Sequence, residues 1–188
     1  DFSPAYEALA TVWRSLGYDV KARETLRHAM EHTTGLQREE LLRLDARYWE
    51  SLKDWDRAFS AYQTLMRLFP DNPEYPLALG ETQLSAGKHQ EALATLTRMQ
   101  DENTGARLDP RVDAALARAL EDKGDFRAAH SRYQTAIEKS VSIGASLLVA
   151  RCLVSQAYLK KYLGEANGVI PNLDQAIQIF RRAGAQLD

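Results

Sequence analysis

A turn followed a few residues later by an alanine recurs along this chain at a nearly constant interval. The distances from Ala22 to Ala58, from Ala58 to Ala92 and from Ala92 to Ala129 are 36, 34 and 37 residues. Such periods are typical of chains built from stacked units, each of which buries its apolar face only against its neighbours. The repeat therefore favours a stack of similar units over a fold around one central core.

Each unit has the pattern of two antiparallel helices. The alanine lets the backbones of the two helices approach closely, and the residue four places later lies on the same helical face. That residue is Leu26, Tyr62, Leu96 or Tyr133. Glycines in the turns before the second helices are typical C-terminal caps. The expected fold is all-α.

The spacing predicts about ten helices in about five pairs, which form a right-handed α-solenoid with a concave face. A weaker fifth copy begins at Gly164, and its second helix is expected to start near Pro171. We expect one domain over residues 1–188, with repeats near 3–35, 39–72, 73–106, 110–142 and 144–183. The predicted helices are 4–16, 19–33, 36–52, 55–69, 73–86, 89–101, 110–123, 126–140, 144–163 and 170–183.

The run Pro70-Asp71-Asn72-Pro73, which follows Ala58 and Tyr62, resembles the junction between two tetratricopeptide repeats. The resemblance extends over essentially the whole chain, and its motifs indicate a fold better than a ligand. The segment 43–75 is similar to repeat regions attached to bacterial winged-helix transcription regulators or serine/threonine kinases. The resemblance implies a scaffold or sensor module that binds a protein or peptide within a larger signalling or regulatory protein.

Two alternatives stay open, a small-molecule-sensing effector domain of a transcription regulator and a module for homo-oligomerisation. The chain begins with Asp-Phe-Ser-Pro rather than Met, so we expect a segment excised from a longer protein. Some tetratricopeptide proteins grip a chaperone carboxylate with a clamp that includes asparagines. This sequence departs from the clamp, because the asparagine positions hold Thr11, Arg47, Glu81, Arg118 and Tyr158.

Candidate groove residues lie on the first helices of the pairs. Arg43 and Arg47 are one turn apart and suit a carboxylate or phosphate, although a local salt bridge to Glu39, Glu40 or Glu50 is the alternative. Further candidates along the groove are Arg118, Arg151, Tyr158, Lys161 and Tyr162. The two tyrosines could stack on a partner or form half-buried core.

The last helix carries Leu173, Ile177 and Phe180 on one stripe, which makes it the candidate surface for self-association into a homodimer. His28 and His32 are one turn apart, a spacing that binds zinc when a third ligand converges. A solvated helix face is the simpler interpretation, so no metal site is predicted.

Composition and motifs argue against catalysis, nucleic-acid binding and membrane insertion. The only cysteine, Cys152, lies in an apolar helix, and no glycine-rich phosphate loop occurs, so the sequence predicts neither an enzyme nor a cofactor. A net charge of −2 offers no basic stripe for nucleic acid, and no apolar run is long enough for membrane insertion. One cysteine mildly favours the cytoplasm. The family resemblance leaves an extracytoplasmic domain of a membrane-anchored regulator as the alternative.

Overall fold

The computed structural model describes residues 3–102 and 104–184, which form helices joined by short turns. The helices in these two ranges are α1 (Ser3–Ser15), α2 (Asp19–Glu31), α3 (Arg38–Ser51), α4 (Trp55–Leu68), α5 (Glu74–Ser85), α6 (His89–Glu102), α7 (Thr104–Leu108), α8 (Pro110–Asp122), α9 (Phe126–Ser142), α10 (Ser146–Leu163), a 3₁₀ turn (Ala166–Gly168) and α11 (Val169–Arg182).

The all-α prediction is confirmed, and every predicted helix is present with its ends within about two residues of the expected ones. One difference is α7, a five-residue helix that lies between the predicted helices 89–101 and 110–123. Capping residues explain why the ends of the helices could be predicted from the sequence. The Asp109 carboxylate accepts a hydrogen bond from the Arg111 backbone N–H, and Pro110 occupies the first turn of α8.

The chain divides into two compact units, residues 1–87 (unit 1) and 88–188 (unit 2). In unit 1 each of the helices α1 to α4 packs on the next one, and α1 also contacts α3. Ala22 and Ala58 are buried against the neighbouring first helices, as the repeat predicts. A core shared by α3, α4 and α5 contains Ala46, Tyr62, Leu65 and Leu79.

Side chains 36 residues apart meet in unit 1. Arg43 contacts Glu7, Glu50 contacts Arg14, and the Tyr75 hydroxyl donates to Glu39. This separation equals the interval from Ala22 to Ala58. Equivalent positions of successive helix pairs therefore lie side by side, as expected of a stacked repeat.

In unit 2 the long helix α10 packs between α9 and α11, and α8 packs on α9 and also touches α10. The shared core includes Ala129, Tyr133, Leu153 and Ala176. Cys152 is buried in the same cluster, and this burial raises the pKa of its thiol to about 11. The thiol is therefore a poor nucleophile while unit 2 is folded.

The turn after α3 departs from the glycine pattern. Lys53 has a φ of 58°, whereas the corresponding turn residues Gly17 and Gly124 have φ values of 80° and 85°. A side chain with a Cβ is disfavoured in this left-handed region, and the cost is about 1–2 kcal/mol.

Replacing Lys53 by glycine is therefore expected to stabilise unit 1 by about 0.5–1 kcal/mol, because relief of the backbone strain exceeds the entropy that glycine gains on unfolding. Urea unfolding followed by tryptophan fluorescence measures this change, since all three tryptophans, Trp13, Trp49 and Trp55, lie in unit 1. The matched control is Gly17→Ala in the same unit, where φ is 80°, and it should destabilise unit 1 by about 1 kcal/mol. An unchanged or lower stability of K53G would contradict the strain at Lys53.

Candidate functional site

Helix α10 presents a continuous exposed stripe although its opposite face is already buried. Leu147, Arg151, Val154, Tyr158 and Tyr162 follow one another at intervals of three or four residues, which places them on one side of the helix. All five are exposed. The other side carries Val149, Cys152, Leu153 and Leu159, which are buried in the core that α10 shares with α9 and α11. We call the exposed set the α10 stripe.

Two tyrosines dominate the C-terminal half of the α10 stripe. Tyr158 and Tyr162 are 52% and 51% exposed, and their rings form an edge-to-face pair with centroids 5.0 Å apart. Their hydroxyl oxygens are 2.8 Å apart, and this hydrogen bond raises the pKa of Tyr158. The Tyr162 ring also lies 5.1 Å from that of Phe126 at the start of α9. The pair is thus a preorganised aromatic platform that remains open to solvent.

Three exposed cationic side chains lie on α8 and α10. Arg151 lies within the α10 stripe, Lys161 lies beside Tyr162, and both are exposed. Arg118 is exposed on α8, the helix that touches α10. The nearby carboxylate of Glu121 accepts a hydrogen bond of 2.9 Å from the Tyr133 hydroxyl, and partial burial raises its pKa. The exposed cations Arg118, Arg151 and Lys161 therefore share this part of unit 2 with the Glu121 carboxylate, whose negative charge also raises the pKa of Tyr158.

The structure places Arg43 and Arg47 in ion pairs. The Arg43 Nε donates to both carboxylate oxygens of Glu7, at 2.9 and 3.1 Å. Arg47 Nη1 donates to Glu50 at 3.3 Å, which is one of the local salt bridges that the sequence left open. Glu39 and Glu40 instead accept from Tyr75 and from the Gln37 backbone N–H. A ligand of Arg43 or Arg47 would have to displace these carboxylates.

Glu50 is the centre of a polar cluster that the sequence analysis did not find. Its carboxylate accepts from Arg14 at 3.2 Å, from Arg47, from the Tyr62 hydroxyl at 3.1 Å and from the Thr82 hydroxyl. Four helices of unit 1 thereby share one carboxylate whose side chain is only 6% exposed. A buried charge with this many donors is a structural feature rather than an open binding group.

The cleft beneath Arg47 is too small for an organic ligand. It lies between α1, α2 and α3, and Glu7, Ala10, Leu26 and Arg47 are among its lining residues. Its volume is about 20 Å³, which is about the space that one water molecule needs. This cleft therefore gives no support to the small-molecule-sensing alternative.

The predicted self-association stripe on α11 is only partly accessible. Phe180 packs against the core of unit 2, and Ile177 is half-buried. Leu173 is 36% exposed, and Ile170, one turn before it, is 69% exposed. Homodimerisation stays a prediction, and Ile170 and Leu173 are the residues that offer apolar surface to a second copy.

None of the helices within residues 3–102 and 104–184 is both long and apolar enough to cross a membrane.

Paired helices with equivalent side chains one repeat apart define an α-helical repeat protein. Two tetratricopeptide repeat family models match residues 51–119 and 114–186, which together extend over most of the sequence. The chain belongs to the tetratricopeptide repeat family. Neither model describes a catalytic domain. A search of curated protein sequences finds no match.

Several solved structures share this fold. Bacillus thuringiensis PlcR, solved in complex with the peptide PapR7 and DNA, is 11% identical, with a TM-score of 0.78 over 97% of this chain and 71% of PlcR. A Rap protein complexed with competence and sporulation factor is 13% identical, with a TM-score of 0.76 over 94% of this chain and 53% of Rap.

MamA residues 41 to the end from Desulfovibrio magneticus RS-1 is 15% identical, with a TM-score of 0.63 over 97% of both chains. At these identities the likeness is one of fold alone.

Proposed function

We propose that unit 2 binds a peptide segment of a partner protein along the α10 stripe. The observation that carries this proposal is the row of exposed apolar and aromatic side chains on a helix whose opposite face is already buried. Exposed apolar patches rimmed by polar residues mark interaction sites, and tyrosine is enriched among the residues that dominate binding energy. Helical repeat proteins commonly use one such face for binding.

The flanking charges define the chemistry of the partner. A large aliphatic or aromatic side chain of the peptide would stack on Tyr158 and Tyr162, while carboxylates would pair with Arg118, Arg151 or Lys161. The expected ligand is therefore an acidic segment with at least one large apolar side chain. The clusters at Arg43 and Arg47 take no part, because carboxylates of unit 1 already occupy both guanidinium groups.

The comparisons support a regulatory setting. PlcR and the Rap protein share this fold, and they were solved in complex with the peptide PapR7 and DNA and with competence and sporulation factor, respectively. We infer that this chain is the docking or sensing module of a larger bacterial signalling or regulatory protein, in which it recognises a protein or peptide and carries out no reaction.

Substitution of the aromatic pair tests the binding function. Peptides selected from a random 12-residue display library on the wild-type protein are expected to lose at least about tenfold in affinity for Tyr158→Ala and for Tyr162→Ala, since hot-spot aromatics contribute about 2 kcal/mol or more. Fluorescence anisotropy with labelled peptides measures the dissociation constants.

The matched control is Tyr18→Ala in unit 1. Tyr18 is 51% exposed and also forms an edge-to-face pair, with Trp13 at 5.6 Å, so it matches the test residues in type, exposure and stacking. Its removal should leave the affinities unchanged. The proposed function would be contradicted if the library yields no binding peptide. It would also be contradicted if the selected peptides bind both unit 2 variants with wild-type affinity.

A further inference from the structure

The last turn of α2 brings three metal-ligating side chains together. His28, Glu31 and His32 each offer a ligand atom, and these atoms lie within 4.8 Å of one another. The two imidazole rings are nearly parallel, with centroids 6.1 Å apart. All three residues are exposed, so an ion reaches them without any rearrangement of the core.

A backbone contact fixes the tautomer of the His32 ring. Its Nδ1 lies 2.9 Å from the carbonyl oxygen of His28. A carbonyl oxygen only accepts, so Nδ1 must carry the proton, and in the neutral ring the lone pair is then on Nε2. Metal-ligating histidines typically donate their second ring N–H to such an oxygen, which fixes the tautomer and the ring orientation.

Glu31 supplies the third ligand, although its carboxylate already forms an ion pair with Arg27. One carboxylate oxygen lies 3.7 Å from His28 Nδ1, and the other accepts from Arg27 Nη1 at 3.2 Å. The Arg27 and Glu31 side chains are 57% and 49% exposed, and an ion pair at such exposure is weak. A bound ion can therefore recruit the carboxylate at little cost.

We propose that His28, Glu31 and His32 form a binding site for one divalent transition-metal ion, with Zn²⁺ as its representative. Two imidazoles and one carboxylate are a common protein ligand set for zinc, and they leave a fourth position for water or for a donor from another molecule. The site lies at the C-terminal end of α2, where the partial negative charge of the helix dipole favours a cation. The proposal revises the sequence-based prediction of no metal site.

A zinc titration followed at the histidine rings tests the site. The chain has four histidines, so His89 and His130 in unit 2 serve as internal controls. After dialysis against EDTA, addition of ZnCl₂ is expected to shift the ring NMR signals of His28 and His32 and to saturate at one ion per chain. The signals of His89 and His130 should stay in place.

Calorimetric titration of variants separates the ligands. His28→Ala and His32→Ala should each weaken the affinity for Zn²⁺ by about tenfold or more, and Glu31→Gln should weaken it by a smaller factor. Arg27→Gln is the matched control, because it removes the ion pair of Glu31 while it leaves the ligand, so its affinity should equal or exceed that of the wild type. Circular dichroism verifies that each variant keeps its helices.

Equal shifts of all four histidines, or an affinity that survives both alanine substitutions, would overturn the site. A Glu31→Gln variant with wild-type affinity would overturn the three-ligand arrangement.

Discussion

Replacement of Asp113 by asparagine is expected to lower the free energy of unfolding of unit 2 by about 3 kcal/mol, because hydrogen bonds to a charged group contribute about 1.5–3 kcal/mol each and the asparagine NH₂ group would face donors. The Asp113 side chain is fully buried. One carboxylate oxygen accepts from Arg132 at 3.0 Å and from Gln100 at 3.3 Å, and the other accepts from Lys139. This one side chain on α8 therefore links α6 to α9.

The thiol of Cys152 gives a local readout of this loss. Cys152 is 2% exposed in the core of unit 2, so a thiol reagent reacts with it only when the unit opens. A loss of about 3 kcal/mol corresponds to roughly a hundredfold faster labelling of Asp113→Asn than of the wild type. The control is Asp174→Asn on the exposed face of α11, which should change the rate little. Equal labelling rates for the Asp113 variant and the wild type would show that the buried carboxylate adds nothing to the stability of unit 2.

Replacement of Glu50 by glutamine is expected to destabilise unit 1 by a similar amount, about 3 kcal/mol. The carboxylate accepts from two arginines and two hydroxyl groups, and a glutamine retains only one acceptor oxygen. The NH₂ group would face donors, and where it replaces the oxygen that faces Tyr62 the buried Tyr62 hydroxyl would lose its acceptor.

Tryptophan fluorescence during urea unfolding measures this change in unit 1 alone. Glu24→Gln, on the exposed side of α2, removes the same charge without a buried partner and should stay within about 0.5 kcal/mol of the wild type. If the urea midpoint of Glu50→Gln equals that of Glu24→Gln, the Glu50 cluster does not stabilise unit 1.

The helix boundaries were predictable because alanines, turn glycines and prolines recur in the sequence at the repeat interval. The short helix α7 carries no such signal, since five residues are too few to show a periodic apolar pattern. The contacts of Arg43 with Glu7 and of Arg14 with Glu50 could also have been predicted, because both separations equal the interval from Ala22 to Ala58. Arg47 and Glu50 are a local pair that the sequence offered as an alternative.

The sequence carries a finer signal of contact between paired helices. Tyr62 donates its hydroxyl hydrogen to Glu50, and Tyr133 donates in the same way to Glu121. The tyrosine and its glutamate acceptor are 12 positions apart in both pairs. At the equivalent positions of the third repeat, Leu84 and Leu96 are both apolar and both buried. The spacing of tyrosine and glutamate thus marks a contact between the two helices of a pair in the second and fourth repeats.

Other contacts had no sequence signal. Asp113 meets Arg132 and Lys139 over separations of 19 and 26 residues, which match no repeat interval. The sequence also left Tyr158 and Tyr162 open between binding and half-buried core, since both readings fit an apolar helix. Their exposure depends on which side of α10 the last helix covers. In the structure Ala176 of α11 packs with Cys152, Leu153 and Leu159, on the side away from the tyrosines.

NMR of the protein with ¹³C-labelled tyrosine rings tests the α10 stripe most directly, while a selected acidic peptide is added to saturation. The chain has eight tyrosines, and the variants Tyr158→Phe and Tyr162→Phe assign the two signals of the aromatic pair. The peptide is expected to shift the signals of Tyr158 and Tyr162 and to leave that of Tyr18 in place. Saturating peptide that leaves both Tyr158 and Tyr162 unchanged would contradict the proposed binding face.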